Sequence, residues 1–112
     1  MQMEERHADA VLVVKLVVAR LDASAAVAFR ERLTQRVAEG SSRIVINLEA
    51  VTFIDSSGLG AMVSVLKALG RDGKMRLCGV QSSVATLFKL TRMDTVFGVA
   101  PSEEEAIRSL AT

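Results

Sequence analysis

Two β-branched runs, Val11 to Val18 and Arg43 to Leu48, flank a segment whose apolar residues recur at helical spacing. This alternation constrains the fold more than any other feature of the chain. The first run reads as a buried strand that pairs with residues 2 to 7 through a turn around Ala8 to Ala10. From Ala23 to Glu39, Ala26, Phe29, Leu33 and Val37 make an apolar stripe, with Arg30, Glu31, Arg32, Gln35 and Arg36 on other faces. Asp22 or Ser24 can cap this helix, and Gly40 can end it. The second run is apolar on both faces apart from Asn47, as an interior strand requires. Beyond the loop Glu49 to Ser56, a second helix reaches about Leu69 and turns Leu59, Met62, Val63, Leu66 and Leu69 to the core.

The pattern then repeats. Met75 to Val80 reads as a strand, and Ser82 or Ser83 can cap a short helix carrying Val84, Leu87, Phe88 and Leu90. A brief strand follows at Val96 to Val99. Ser102 and Glu105 form a capping box for the last helix, with Glu103 and Glu104 placed where the helix dipole favours negative charge. Strands joined by helices define an α/β class with parallel pairing across helical crossovers.

Composition narrows the function. A chain of 112 residues that is 50% hydrophobic supplies the core of one domain, taken as residues 1–112. Fourteen Lys and Arg against thirteen Asp and Glu leave no basic excess for nucleic acid, and the only aromatic residues are four Phe. Cys78 stands alone, so neither an intrachain disulfide nor a Cys-based zinc site is expected, and a cytoplasmic setting fits. It reads as a small buried residue. Ala10 to Ala19 is interrupted by Lys15 and is about half the length that membrane insertion needs. The N-terminus has no secretory pattern.

No catalytic group, metal or cofactor is expected. The one histidine, His7, lies in a polar segment, the chain lacks the Gly-x-Ser-x-Gly elbow of serine hydrolases, and Gly70 to Lys74 reads as a turn without phosphate-loop spacing.

Function concentrates in Phe53-Ile54-Asp55-Ser56-Ser57-Gly58-Leu59-Gly60, between a buried strand and a helix. Asp55 or Ser56 can cap the helix, and Gly58 and Gly60 allow another backbone to approach. Read locally, this is a capped helix start. Further along, Ser56, Gly60, Ser64 and Lys67 form a small, mostly polar strip beside Ala61, Val65 and Ala68. The other side of the helix already supplies a core, so this side is assigned to a partner.

The Asp55-to-Gly60 run resembles the phosphorylation segment of STAS-domain anti-sigma factor antagonists. Leu21-Asp22, Ile44 to Leu48, Met75 to Val80, Val84 to Asp94 and Ser102 to Leu110 also match that family in order and spacing. Ala19-Arg20 departs from it, since a glycine often precedes the Leu-Asp pair. The resemblance implies a small mixed β-sheet with helices packed mainly on one face. It makes Ser56 the phosphate acceptor and a serine-protein kinase that is also an anti-sigma factor the partner, with a metal-dependent serine phosphatase reversing the modification. Together with the strip along the second helix, it gives a partner surface of Asp22, Asp55, Ser56, Ser57, Gly58, Gly60, Ala61 and Ser64, although an Asp before a helix is by default only a cap. A competing reading is a STAS subunit that binds a transporter ATPase constitutively, as in lipid-trafficking ABC complexes.

Overall fold

The computed structural model describes residues 1–111. Strands β1 (Met3–Ala8) and β2 (Val11–Leu16) form an antiparallel hairpin in which Ala8 faces Val11 across Asp9 and Ala10. Both turn residues are left-handed, at φ 52° and 64°, a geometry that matches the twist of the two strands.

The sheet grows from β2 by parallel pairing. Strand β3 (Arg20–Leu21) leads into α1 (Ala23–Ala38), after which β4 (Arg43–Asn47) pairs with β2. Strand β5 (Phe53–Ile54) leads into α2 (Ser56–Leu69), and β6 (Lys74–Cys78) pairs with β4. Helix α3 (Ser82–Leu90) then connects to β7 (Gly98–Val99), and α4 (Glu103–Leu110) follows. The five-stranded order is β1-β2-β4-β6-β7, while β3 and β5 make a separate two-stranded sheet.

Because the parallel strands advance in one direction without reversal, right-handed crossovers put all three connecting helices on the same face. Leu12, Val14, Leu16, Ile44, Ile46, Met75 and Leu77 point into that layer, where they share a core with Phe29, Leu33, Met62, Val65, Val84 and Phe88. Phe29 and Leu33 are fully buried, and removing such a side chain from water contributes roughly 1.5–3 kcal/mol. On the opposite face, α4 covers Val11, Val13, Val45 and Cys78 with Ala106 and Leu110. This is the mixed sheet, with helices mainly on one face, that the family resemblance implies.

Asn47 is the one buried polar side chain of the sheet among the described residues. Its Oδ1 accepts from the Glu49 N–H at 2.9 Å, and its Nδ2 donates to Glu103 Oε2 at 2.9 Å, which ties the start of α4 to the end of β4. Arg6 also pairs with Glu103. Between them, chiefly through the Asn47 amide and then Arg6, these donors hold the Glu103 carboxyl below its usual range. Burial pushes the Cys78 thiol up to about 11.

Several sequence expectations need correction. The strand expected at Val96 to Val99 is limited to Gly98–Val99, with a 3-10 turn at Met93–Thr95 before it. Leu90 is 79% exposed and takes no part in the core. Gln81, not Ser82 or Ser83, is the N-cap of α3, without a side-chain capping bond. The Ser83 hydroxyl donates instead to the Thr52 carbonyl at 2.9 Å, fastening α3 to the loop before β5.

Candidate functional site

The site is built on the two-stranded sheet. The N–H groups of Thr52 and Phe53 both donate to the Ala19 carbonyl, at 2.8 and 3.2 Å, and bring β5 alongside β3. Arg20 then lies opposite Phe53, and Leu21 opposite Ile54. Leu21 and Ile54 are buried, so by strand alternation Arg20, Asp22, Phe53 and Asp55 project from the other side. Ala19 occupies its place without a left-handed backbone, and the departure from glycine there leaves the pairing intact.

Asp22 and Asp55 end the two parallel strands side by side, and each caps the helix that follows. Asp22 Oδ1 accepts from the Ser24 N–H at 3.2 Å, the Ala25 N–H at 3.4 Å and the Ser24 hydroxyl at 2.8 Å. The Ser24 hydroxyl is the largest influence lowering its pKa. Asp55 accepts from the Gly58 N–H at 3.0 Å. The starts of α1 and α2 thus share one end of the molecule, beyond the carboxyl ends of the parallel strands.

Ser56 is the first residue of α2. It is exposed, as is Ser57, and no acidic residue stands in the first turn. Asp55 satisfies the Gly58 N–H, whereas the N–H groups of Ser56 and Ser57 have no protein acceptor among the described residues. That leaves unmet donors and the positive end of the helix dipole around an accessible hydroxyl.

Further along the helix, Gly60 is exposed, and a Cβ built on it would meet nothing within 4 Å. Ser64 is half-buried and donates to the Gly60 carbonyl at 3.0 Å, while Lys67 is exposed. Ser56, Gly60 and Lys67 therefore lie open on one strip with Ser64 between them.

Two of the residues assigned to the partner surface face inward instead. Ala61 is 3% exposed and belongs to the core with Val65, because α2 packs against α1 as well as against the sheet. Gly58 is also buried. A Cβ there would overlap the Leu21 carbonyl oxygen and stand 2.9 Å from Ile54 Cγ2, so its role is to let α2 start against β3. Leu59, Val63 and Leu66, expected in the core, are only partly buried at its margin.

Sequence reasoning missed the pair in front of the caps. The Arg20 guanidinium lies 4.0 Å over the Phe53 ring, and Phe53 is 38% exposed. Two-residue strands are too short to display a period, and nothing in the chain announces their pairing.

Residues 2–106 match the STAS domain family, and the chain belongs to it. It is 36% identical over 75 residues to the anti-sigma-B factor antagonist of Staphylococcus aureus (strain NCTC 8325 / PS 47), covering 66% of this chain and 69% of that one. That relative is named as an antagonist rather than as an enzyme. Among solved structures, an anti-sigma factor antagonist from Mycobacterium paratuberculosis superposes with a TM-score of 0.89 at 23% identity, covering 99% of this chain and 94% of that one. The Bacillus cell fate determinant SpoIIAA in its phosphorylated form gives 0.73 at 23% identity, covering 96% and 98%. At these identities the two structures speak for the fold alone. No helix among the described residues is long and apolar enough to cross a membrane.

Proposed function

We propose that this chain is an anti-sigma factor antagonist that binds a serine-protein kinase acting as anti-sigma factor, and that phosphorylation of Ser56 ends the binding. The observation that carries this reading is Ser56 itself: an exposed hydroxyl at the first position of α2, beside a capping Asp55, with no acid in the helix's first turn. A phosphate adds roughly −1.5 to −2 charges at neutral pH. The free N–H groups and the dipole of α2 accommodate that charge, so the fold persists. A partner seated against a neutral hydroxyl meets instead a doubly charged group reinforced by Asp55. Kinship with an antagonist from Staphylococcus aureus supports the same direction, and SpoIIAA, a protein of the same fold, is known in a phosphorylated form. In this reading residues 1–112 act as one domain in the cytoplasm, and a metal-dependent serine phosphatase restores the binding form.

Calorimetric titration of unmodified and phosphorylated protein into the cognate kinase, with thermal melts of the same samples, tests the proposal. Binding is expected to weaken at least 100-fold on phosphorylation, a change of roughly 2.7 kcal/mol, without a lower melting temperature. Intact mass should show one added phosphate, lost in Ser56→Ala and kept in Ser57→Ala. Equal binding by the two forms overturns the switch.

A further inference from the structure

The outer side of the β3–β5 sheet carries an arrangement that phosphate chemistry at Ser56 does not use. Phe29, Phe88 and Phe97 are buried, whereas Phe53 presents its ring to solvent. The guanidinium carbon of Arg20, its register partner, lies over that ring, 4.0 Å from the centroid. This cation–π contact holds the guanidinium in place and reduces the freedom that an exposed arginine otherwise loses on binding.

The guanidinium is also underused. Its ion-pair contact is Asp22 Oδ2 at 3.5 Å, a carboxylate already engaged by three donors at the start of α1. Arg20 carries five N–H donors and its side chain remains 60% exposed. On the outer face set by strand register, it is the cation among Arg20, Asp22, Phe53 and Asp55. A shallow cleft adjoins it, with Met1, Val18 and Ala25 supplying apolar wall and Asp22 and Ser24 a polar rim.

We infer that the Arg20–Phe53 stack is the specificity anchor of the partner surface: Arg20 receives a carboxylate of the kinase, and Phe53 packs against an apolar side chain next to it. The inference rests on the proposed kinase reading and names the partner chemistry at that site. Three features point to it. An oriented guanidinium with free donors binds carboxylates in a bidentate manner. Arginine and aromatic residues dominate the energetic centres of protein interfaces. The stack also continues, through the adjacent ends of β3 and β5, onto the two caps that begin α1 and α2.

The test titrates wild type, Arg20→Glu, Arg20→Lys and Phe53→Ala into the serine kinase that binds the wild-type chain, at low and at moderate salt. Arg20→Glu is expected to weaken binding at least 30-fold, and Phe53→Ala about 10-fold. Arg20→Lys should fall between wild type and Arg20→Glu, since it keeps the charge without the planar fork. The salt dependence of affinity should be shallower in Phe53→Ala only slightly, and in Arg20→Glu markedly, a readout that a purely structural role does not move. Thermal melts check that each variant folds; if Phe53→Ala does not, Phe53→Leu replaces it and is expected to bind more weakly than wild type. Unchanged affinity and salt dependence in a folded Arg20→Glu overturn the inference, even if phosphorylation still abolishes binding. If Arg20→Glu weakens binding while phosphorylation does not, the anchor stands and the switch falls. If the wild-type chain binds no such kinase, both fall.

Discussion

Helices α2 and α4 both begin with a well-formed cap, and they use their positive ends in opposite ways. The first turn of α4 contains Glu103, Glu104 and Glu105, with the Ser102 hydroxyl accepting from the Glu105 N–H at 3.1 Å. One of those carboxylates, Glu103, is bound to Asn47 and Arg6 and fixes the helix to the sheet. The first turn of α2 contains no acid and displays two serines. Negative charge within the first turn is therefore structural and permanent at α4, whereas at α2 the capping Asp55 is the one carboxylate and the first turn itself carries none. In the proposed switch, the start of α2 serves as the control point because its first turn holds no acid and its first side chain is exposed.

The sharpest way to break this contrast is to put the same charge at each start. Ser56→Asp should weaken kinase binding by two orders of magnitude or more, roughly 2.7 kcal/mol, while Ser102→Asp should leave it unchanged. Both should melt close to wild type, since Asp and Ser are comparable caps and acids are favoured in the first turn. Titration calorimetry with parallel melts decides the point; equal loss in the two variants would dissolve the distinction.

Gly58→Ala tests what positions the α2 start. The added methyl overlaps the Leu21 carbonyl, so a stability loss of about 1–3 kcal/mol is expected in urea unfolding. A variant as stable as wild type would mean that the β3–β5 platform yields easily and does not hold Ser56 in place.

Glu103→Gln should cost about 1 kcal/mol near neutral pH, because the pair with Arg6 is lost and a weaker acceptor faces Asn47. The sign with pH is definite. The folded carboxyl titrates below its ordinary value of 4.5, so its contribution is complete above that pH and is lost as the pH falls through the depressed folded value. Glu5, lowered chiefly by Arg36, behaves in the same sense. Glu103→Gln should flatten the acid limb of a stability-against-pH curve without abolishing it.

The smallest effect on stability belongs to Gly60→Ala, where the side chain enters open space on a helix and should add roughly 0.5–1 kcal/mol. Replacement by a bulkier residue, Gly60→Leu, should weaken kinase binding more than it alters the melting temperature. Full binding by that variant would remove the Ser56–Gly60–Ser64 strip from the interface.

How much of this was legible in the sequence follows from element length and burial. Strands β2, β4 and β6 and all four helices were readable because each spans several turns or alternations, and Asp22, Asp55 and Ser102 cap helices at positions where sequence alone placed candidate caps. β3 and β5 were hidden because two residues carry no periodicity. The misassignment of Ala61 and Val65 has a different origin. Small residues suit both a docking face and a close helix–helix contact, and only the position of α1 shows which applies. Arg20 and Phe53 become a unit solely through the parallel pairing of distant segments.

Cys78 gives the domain a built-in clock. It is fully buried at the end of β6, on the face that α4 covers, and with its thiol held at about 11 it offers almost no nucleophile to a reagent at neutral pH. Alkylation must wait for an excursion that parts β6 from α4, so its rate reports how often the native sheet opens. Followed in the free chain and in the kinase complex, that rate separates partners that merely cover the α2 start from partners that quiet the whole sheet.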